Sequence, residues 1–362
     1  MGELSTRRAP LRAAGAVALA VAAFALRCAT AQGAAPARQA RGTPQEVVFT
    51  RYTPLFSNTE ILRRLLSPLA EQTVRDLLAR SHEALTPYPI DLAKEHFLVY
   101  VPPGAPPSPR GFALLVFVSP SEQANLPRGW TLQLNHYGVI FVTPERAGNA
   151  DADLSRRVPL ALSAEENIVR EYPVDRDRIY IGGFSGGSRV AERTALGYPD
   201  VFSGALLNAG ADPLGGVYPL PSRDLFQRFQ SSSHLVYVTG ERDTVNLDTD
   251  ATSSQSMQDW CVLNVETDEA PNAGHEAMSS TGFGEALNRL LNHTPPDTSR
   301  LTVCRSHVEA ALEEKLGHAE ALLSADKQSE ARKLLLEIDK QYGGLAAPRI
   351  LQLAAKCACG LT

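Results

Sequence analysis

The run Arg178-Ile179-Tyr180-Ile181-Gly182-Gly183-Phe184-Ser185-Gly186-Gly187-Ser188-Arg189-Val190-Ala191 constrains this chain more than any other stretch. A short apolar strand passes into Gly-x-Ser-x-Gly, formed by Gly183, Ser185 and Gly187, and then into a helical pattern. Gly-x-Ser-x-Gly alone is common by chance; the strand before it and the helix after it give it weight. A serine on such a turn holds a strained backbone. The flanking positions are glycine because a side chain there would meet the neighbouring strand or helix. The turn lifts the hydroxyl above the sheet, at the positive end of the next helix. The Gly186 N–H then faces the position of a developing oxyanion. Ser185 is the candidate nucleophile and Gly186 a candidate oxyanion donor.

A serine hydroxyl is a weak nucleophile. It needs a base, and the base needs an orienting carboxylate. After an elbow of this kind the acid comes first and the histidine second. His234-Leu235-Val236-Tyr237-Val238-Thr239-Gly240 is a nearly continuous apolar run, as expected of a strand buried in a parallel sheet. It ends in Gly240-Glu241-Arg242-Asp243, and a carboxylate just past a strand's C-terminal end is where an open α/β sheet builds its site. Asp243 is the preferred acid; Glu241, Asp248 and Asp250 are its rivals. The next expected strand is Cys261-Val262-Leu263-Asn264-Val265, followed by the loop Asn272-Ala273-Gly274-His275-Glu276-Ala277-Met278. Gly274 is expected to supply a sharp turn. Of eight histidines, only His275 lies on a post-strand loop after both the serine and the acid, so it is the candidate base.

Asp175 to Ser188 resembles the elbow region of the secreted polyhydroxybutyrate-depolymerase-like and feruloyl or acetylxylan esterase-like α/β-hydrolases. Gly197-Tyr198-Pro199-Asp200-Val201-Phe202-Ser203-Gly204-Ala205, Asn208-Ala209-Gly210, Gly240-Glu241-Arg242-Asp243 and Gly274-His275 are similar to their continuation. The likeness covers roughly residues 95 to 292 and implies a triad of Ser185, Asp243 and His275. One departure concerns the oxyanion hole. That family follows its third strand with a His-Gly-type turn that supplies the second N–H, whereas here Ala113-Leu114-Leu115-Val116-Phe117-Val118 runs into Ser119-Pro120-Ser121. Pro120 has no N–H to give. The second donor must come from Ser119, from Ser121 or from a side chain, and Ser119 is the candidate carried forward.

Strands alternate with helical stretches through this region. That pattern predicts an α/β class chain: an α/β-hydrolase fold with a mostly parallel, doubly wound sheet and a small all-helical C-terminal extension. Strands are expected at 97–101, 113–118 and 138–142, and a helix at 160–171. The expected organisation is a signal peptide over 1–31, a disordered linker over 32–45, an N-terminal helical segment over 46–94, the hydrolase core over 95–292, a linker over 293–303 and a helical extension over 304–362. Leucines and valines between 58 and 84 keep helical spacing and suggest a helix pair. Residues 210–233 form an insertion with an apolar patch at Leu225, Phe226 and Phe229, either a small cap over the site or a surface connection. Trp130 suits core packing more than a cleft wall. The extension carries three apolar stripes, too few for a solenoid. It either packs on the core or offers a docking surface to a partner.

Arg7, Arg8 and Arg12 precede an apolar stretch from Ala13 to Leu26, and Ala29-Thr30-Ala31 offers small residues for cleavage. The apolar run is too short to span a bilayer. The expectation is a secreted or periplasmic protein without stable membrane insertion after cleavage near Ala31. A lipid anchor at Cys28 is disfavoured because Leu26-Arg27 makes a poor lipobox. The leader holds four Arg and one Glu, so its loss takes the formal charge from −5 to −8. Such a chain has no basic footprint for nucleic acid. Cys261, Cys304, Cys357 and Cys359 remain, with three full pairings open. A Cys304–Cys357 bridge would staple the C-terminus. No metal or organic cofactor is implied.

These features predict a serine hydrolase that cleaves carboxylic esters, small or polymeric. A serine peptidase uses the same machinery. The alternative from another class is a catalytically impaired hydrolase-fold protein that acts as a binding module, motivated by the Ser119-Pro120-Ser121 turn.

Overall fold

The computed structural model describes residues 41–357. The expected signal peptide, Cys28, most of the 32–45 linker and Cys359 lie outside the described residues. Among the described residues, eight strands form one sheet. They are β1 (Gln45–Val47), β2 (Phe97–Tyr100), β3 (Phe112–Val118), β4 (Val139–Pro144), β5 (Val174–Phe184), β6 (Gly204–Asn208), β7 (His234–Gly240) and β8 (Val265–Ala270). Their order is β1-β2-β4-β3-β5-β6-β7-β8. β2 runs antiparallel to β1 and β4, and every other pairing is parallel. This is the α/β-hydrolase fold. Because β3 to β8 are parallel, the loops that leave their C-terminal ends share one edge of the sheet, where open α/β folds build sites.

The central strands separate the two layers by alternation. Leu114, Val116 and Val118 of β3 face one side, with Ile140, Val142, Ile179, Ile181, Ala205, Leu207 and Leu235. Ala113, Leu115 and Phe117 face the other, with Val139, Phe141, Tyr180, Leu206, Val236 and Val238. A period of two on strands buried on both faces explains why these stretches read as continuous apolar runs. The helices in chain order are α1 (Asn58–Leu65), α2 (Pro68–Ser81), α3 (Trp130–Tyr137), α4 (Val158–Glu171), α5 (Gly186–Gly197), α6 (Arg223–Ser232), α7 (Thr244–Asp259), α8 (Ser280–Leu291), α9 (Thr298–Ser324), α10 (Gln328–Tyr342) and α11 (Arg349–Lys356). α3 and α8 cover the second face with Trp130, Leu134, Phe283 and Leu287. The first face carries α4, α5 and α6, backed by α1 and by the C-terminal helices. No helix among the described residues is long and apolar enough to cross a membrane.

Several expectations are corrected. Gly42 donates its N–H to Val101 O at 2.9 Å, and Gln45–Val47 pairs with β2. The sheet therefore begins inside the stretch expected to be linker and helix; three residues are too few to show periodicity in sequence. The eighth strand is Val265–Ala270, not Cys261–Val265. It is the sheet edge and reads Val-Glu-Thr-Asp-Glu-Ala, the charged pattern with which edges resist pairing. The apolar Cys261-Val262 instead closes the turn after α7 and is buried there. The linker expected over 293–303 is cut short by α9, whose first turn Asp297 caps by accepting from Ser299 N at 2.8 Å. The 210–233 insertion puts Phe226 and Phe229 in the core, and Phe226 meets Trp260 edge to face. It is a connection packed on the core through these rings, with Val217 and the outer side of α6 exposed.

Cys304 pairs with Cys261, with Cα atoms 5.8 Å apart, and so ties the start of α9 to the turn after α7. A Cys304–Cys357 bridge is sterically excluded. Cys357 Sγ lies 3.8 Å from Gln328 O, beside the far end of α9. Twenty helical residues separate that end from Cys304, about 30 Å at 1.5 Å per residue.

The C-terminal helices merge with the core. Leu312, Leu316, Ala319, Leu335, Ile338 and Tyr342 belong to the same apolar cluster as the sheet's first face. The Asp339 carboxylate accepts from the Ser67 hydroxyl and, at 3.0 Å, from Leu69 N, so α10 caps the start of α2. Leu335 is fully buried, whereas its neighbour Leu336 is 45% exposed. Leu335→Ala should lower unfolding stability by about 2–5 kcal/mol through lost burial and a cavity. Leu336→Ala should stay within about 0.5 kcal/mol of the parent. Urea unfolding followed by circular dichroism checks this; similar midpoints for both variants would mean that α10 does not share the core.

Candidate active site

β5 delivers Ser185 at the centre of the sheet. Its backbone sits at φ +55°, ψ −124°, a region that L-residues with side chains avoid. Two glycines permit the turn. A Cβ on Gly183 would lie 2.3 Å from the Gly187 carbonyl, and one on Gly187 would lie 2.0 Å from Val118 O. Neither space admits a methyl group. Ser185 N donates to Asn208 O at 2.9 Å, which fixes the elbow to the end of β6.

The structure brings the three sequence candidates together. Ser185 Oγ lies 2.9 Å from His275 Nε2, and His275 Nδ1 lies 2.6 Å from Asp243 Oδ2. With the carboxylate as acceptor, Nδ1 carries the proton and Nε2 is left to accept from Ser185. Asp243 is buried, and His275 is 44% exposed at its side chain. Desolvation works against the Asp243 charge, yet hydrogen bonds from His275 and Asn246 outweigh it and hold the carboxyl below its usual range. The rival acids point elsewhere. Glu241 accepts from Asn272 N at 2.8 Å, Asp250 bonds Thr239 beneath the site, and Asp248 is exposed on α7.

The loop that carries His275 turns at Asn272, with φ +59°, and not at Gly274, whose φ lies outside the left-handed range. Asn shares the left-handed region with Gly because its side chain hydrogen-bonds locally. Trp130, Asn208 and Phe184 anchor the loop. Trp130 Nε1 donates to Met278 O at 2.9 Å while its ring stacks on Phe283 at 3.8 Å. Met278 N donates to Asn208 Oδ1 at 3.0 Å, and Phe184 packs on the imidazole at 4.9 Å. Asn208 thus holds the serine through its carbonyl and the histidine loop through its side chain.

Sequence reasoning missed Asn246. Its Nδ2 lies 2.9 Å from both Asp243 oxygens, and its Oδ1 is 3.4 Å from Arg189 Nη2 on the elbow helix. The signal was present as an Asp-x-x-Asn pair across the first turn of α7, where residues three apart are neighbours. Of the oxyanion candidates, Gly186 occupies the first position of α5, where a helix leaves its N–H without an internal acceptor. Ser119 is buried, its Oγ accepts from Ser121 N at 3.0 Å, and its carbonyl accepts from Arg157. Among the described residues, no group of three or more His, Cys, Asp or Glu is placed to hold a metal.

On the elbow helix, Glu192 is fully enclosed. It accepts from Asp212 N at 2.7 Å and from Ser253 Oγ at 2.8 Å. Burial pushes its carboxyl up to about 8 from an ordinary 4.5. The folded protein therefore keeps a proton that the unfolded chain releases. Its contribution to stability is full below about 4.5 and is lost as pH rises to about 8. Across that window the melting temperature should decline less for Glu192→Gln than for the parent. Equal slopes in a pH series of thermal melts would show that Glu192 ionises as freely in the fold as out of it.

No protein-family model and no curated protein matches the chain. Solved structures with a similar fold include a thermostable esterase at 15% identity and TM-score 0.38, over 54% of this chain and 56% of that one. Est1E from Butyrivibrio proteoclasticus is 14% identical with TM-score 0.42, over 56% of this chain and 97% of that one. A puromycin-hydrolysing peptidase from Mycobacterium tuberculosis is 17% identical with TM-score 0.40, over 56% of this chain and 38% of that one. The chain thus spans about half of the first of these and little more than a third of the last.

Proposed function

We propose that this chain is an exported serine hydrolase that cleaves carboxylic esters through an acyl-enzyme. The observation that supports it is the hydrogen-bonded series Ser185–His275–Asp243, aligned at 2.9 and 2.6 Å on a strained elbow. Ser185 Oγ attacks the ester carbonyl and forms the new C–O bond as its proton passes to His275 Nε2. The tetrahedral oxyanion is held by donors that include the Gly186 N–H at the positive end of α5. On collapse, the bond to the leaving alcohol breaks and His275 returns the proton to it. Water then attacks the acyl-serine with the same histidine as base, and the acid is released. Asp243 fixes the imidazole tautomer and stabilises its protonated form, and Asn246 fixes Asp243. Export rests on the Arg-led apolar leader in the sequence. The Cys261–Cys304 pair is consistent with it, since disulfides persist in oxidising compartments.

Purified protein should hydrolyse p-nitrophenyl acetate and butyrate, and Ser185→Ala should lose at least about a thousandfold in kcat, the scale expected when a nucleophile of this type is removed. A fluorophosphonate probe should label the parent at Ser185 and leave the variant unlabelled. Equal turnover by both proteins would sink the assignment. An inert, unlabelled parent would favour the binding-module alternative, and turnover confined to anilides would favour a peptidase.

A further inference from the structure

Two of the three residues in the turn after β3 have no free backbone N–H for an oxyanion hole. Pro120 carries no N–H, and the Ser121 N–H is spent on Ser119 Oγ. The loop after β4 approaches the same place from the other side. Asn149 N donates to Pro120 O at 3.0 Å, which locks the two loops together. The Asn149 side chain then lies directly against the elbow. A Cβ on Gly186 would sit 2.2 Å from Asn149 Oδ1 and 3.0 Å from Nδ2. The absent side chain at Gly186 is therefore what makes room for this amide beside the residue after the nucleophile.

Which end of the amide is free follows from Arg157, which only donates. This arginine is buried at the start of α4. Its guanidinium donates to Ala147 O at 2.9 Å, to Ser119 O at 3.3 Å and to Asn149 Oδ1 at 3.4 Å. It thereby gathers the loops after β3 and β4 and takes up the amide's acceptor. Nδ2, with two protons, is the end of the amide that Arg157 does not take up, 3.0 Å from where a Gly186 Cβ would sit and on an exposed residue. We infer that Asn149 is a catalytic residue, its Nδ2 the second oxyanion donor beside the Gly186 N–H, with Arg157 as the positioning residue that orients it. A side-chain amide from the β4 loop would thus replace the backbone N–H that Pro120 and Ser121 do not offer.

The inference rests on Ser185 being the acylated nucleophile. Asn149→Leu keeps the side chain's shape and removes both donors. Because Asn149 is exposed, the variant should melt within a few degrees of the parent. On p-nitrophenyl butyrate its kcat should fall by about a hundredfold or more, as for loss of one oxyanion donor, with KM changed by less than about threefold. An alkyl trifluoromethyl ketone, whose serine hemiketal places its oxygen in the same hole, should bind less tightly by a similar factor. A merely structural residue would not link those two readouts. Ser119→Ala should lose less than Asn149→Leu. An active parent with undiminished Asn149→Leu turnover, or a larger loss from Ser119→Ala, overturns this inference alone. A parent that neither turns over esters nor reacts with the fluorophosphonate overturns the hydrolase assignment beneath it.

Discussion

Ser185 holds a left-handed backbone with a side chain attached, and every other part of the site is arranged around that strain. The turn survives because β3, β5 and α5 meet with no room for a Cβ at Gly183 or Gly187. The parallel register then does the remaining placement. Val118 pairs with Gly183 and Phe184 with Asn208, so the ends of β3, β5 and β6 are level. Level strand ends put the turn after β3, the serine and the Asn208 anchor side by side. A slip of one residue anywhere in those pairings would turn the alternating core faces inside out, so the apolar packing of the sheet and the geometry of the site enforce the same register.

What the sequence made legible was the part that rests on local order. A buried strand followed at once by Ser185, another by Asp243, and a loop with His275 after both can be read along the chain because each residue follows the strand that carries it. What stayed hidden was contact between loops. Arg157 acts on residues that the loops after β3 and β4 supply, Asn149 lies against the elbow, and their identities as common polar residues carry no flag; Asn246 was legible only as an Asp-x-x-Asn pair. The misplaced eighth strand has a related cause. A hydrophobic search favours Cys261-Val262-Leu263, which is a buried turn, over a charged edge strand whose side chains are half in water. Gly274 misled for a different reason. A glycine suggests a left-handed residue, but Asn272 fills that role here.

The histidine loop shows how little of a site needs to touch substrate to matter. Trp130 is wholly buried, yet its indole N–H reaches the loop backbone and its ring lies flat on Phe283 of α8. The loop is therefore held from below by the aromatic core of the second face and from the side by Asn208. Cavities opened in that aromatic cluster would be felt at the imidazole, because close-packed interiors transmit displacement.

Asp339 gives the fold a property that concerns time and not geometry. It caps the start of α2 from a position 270 residues later in the chain. A ribosome releases the chain from the N-terminus at a few residues per second or more, and distant contacts form only once both partners are out. Ser67 caps α2 locally through Ala70 N, but the Leu69 N–H must wait for a residue 270 positions later before its acceptor exists. Until α10 arrives, the core face that Leu335 and Ile338 cover stays open to water.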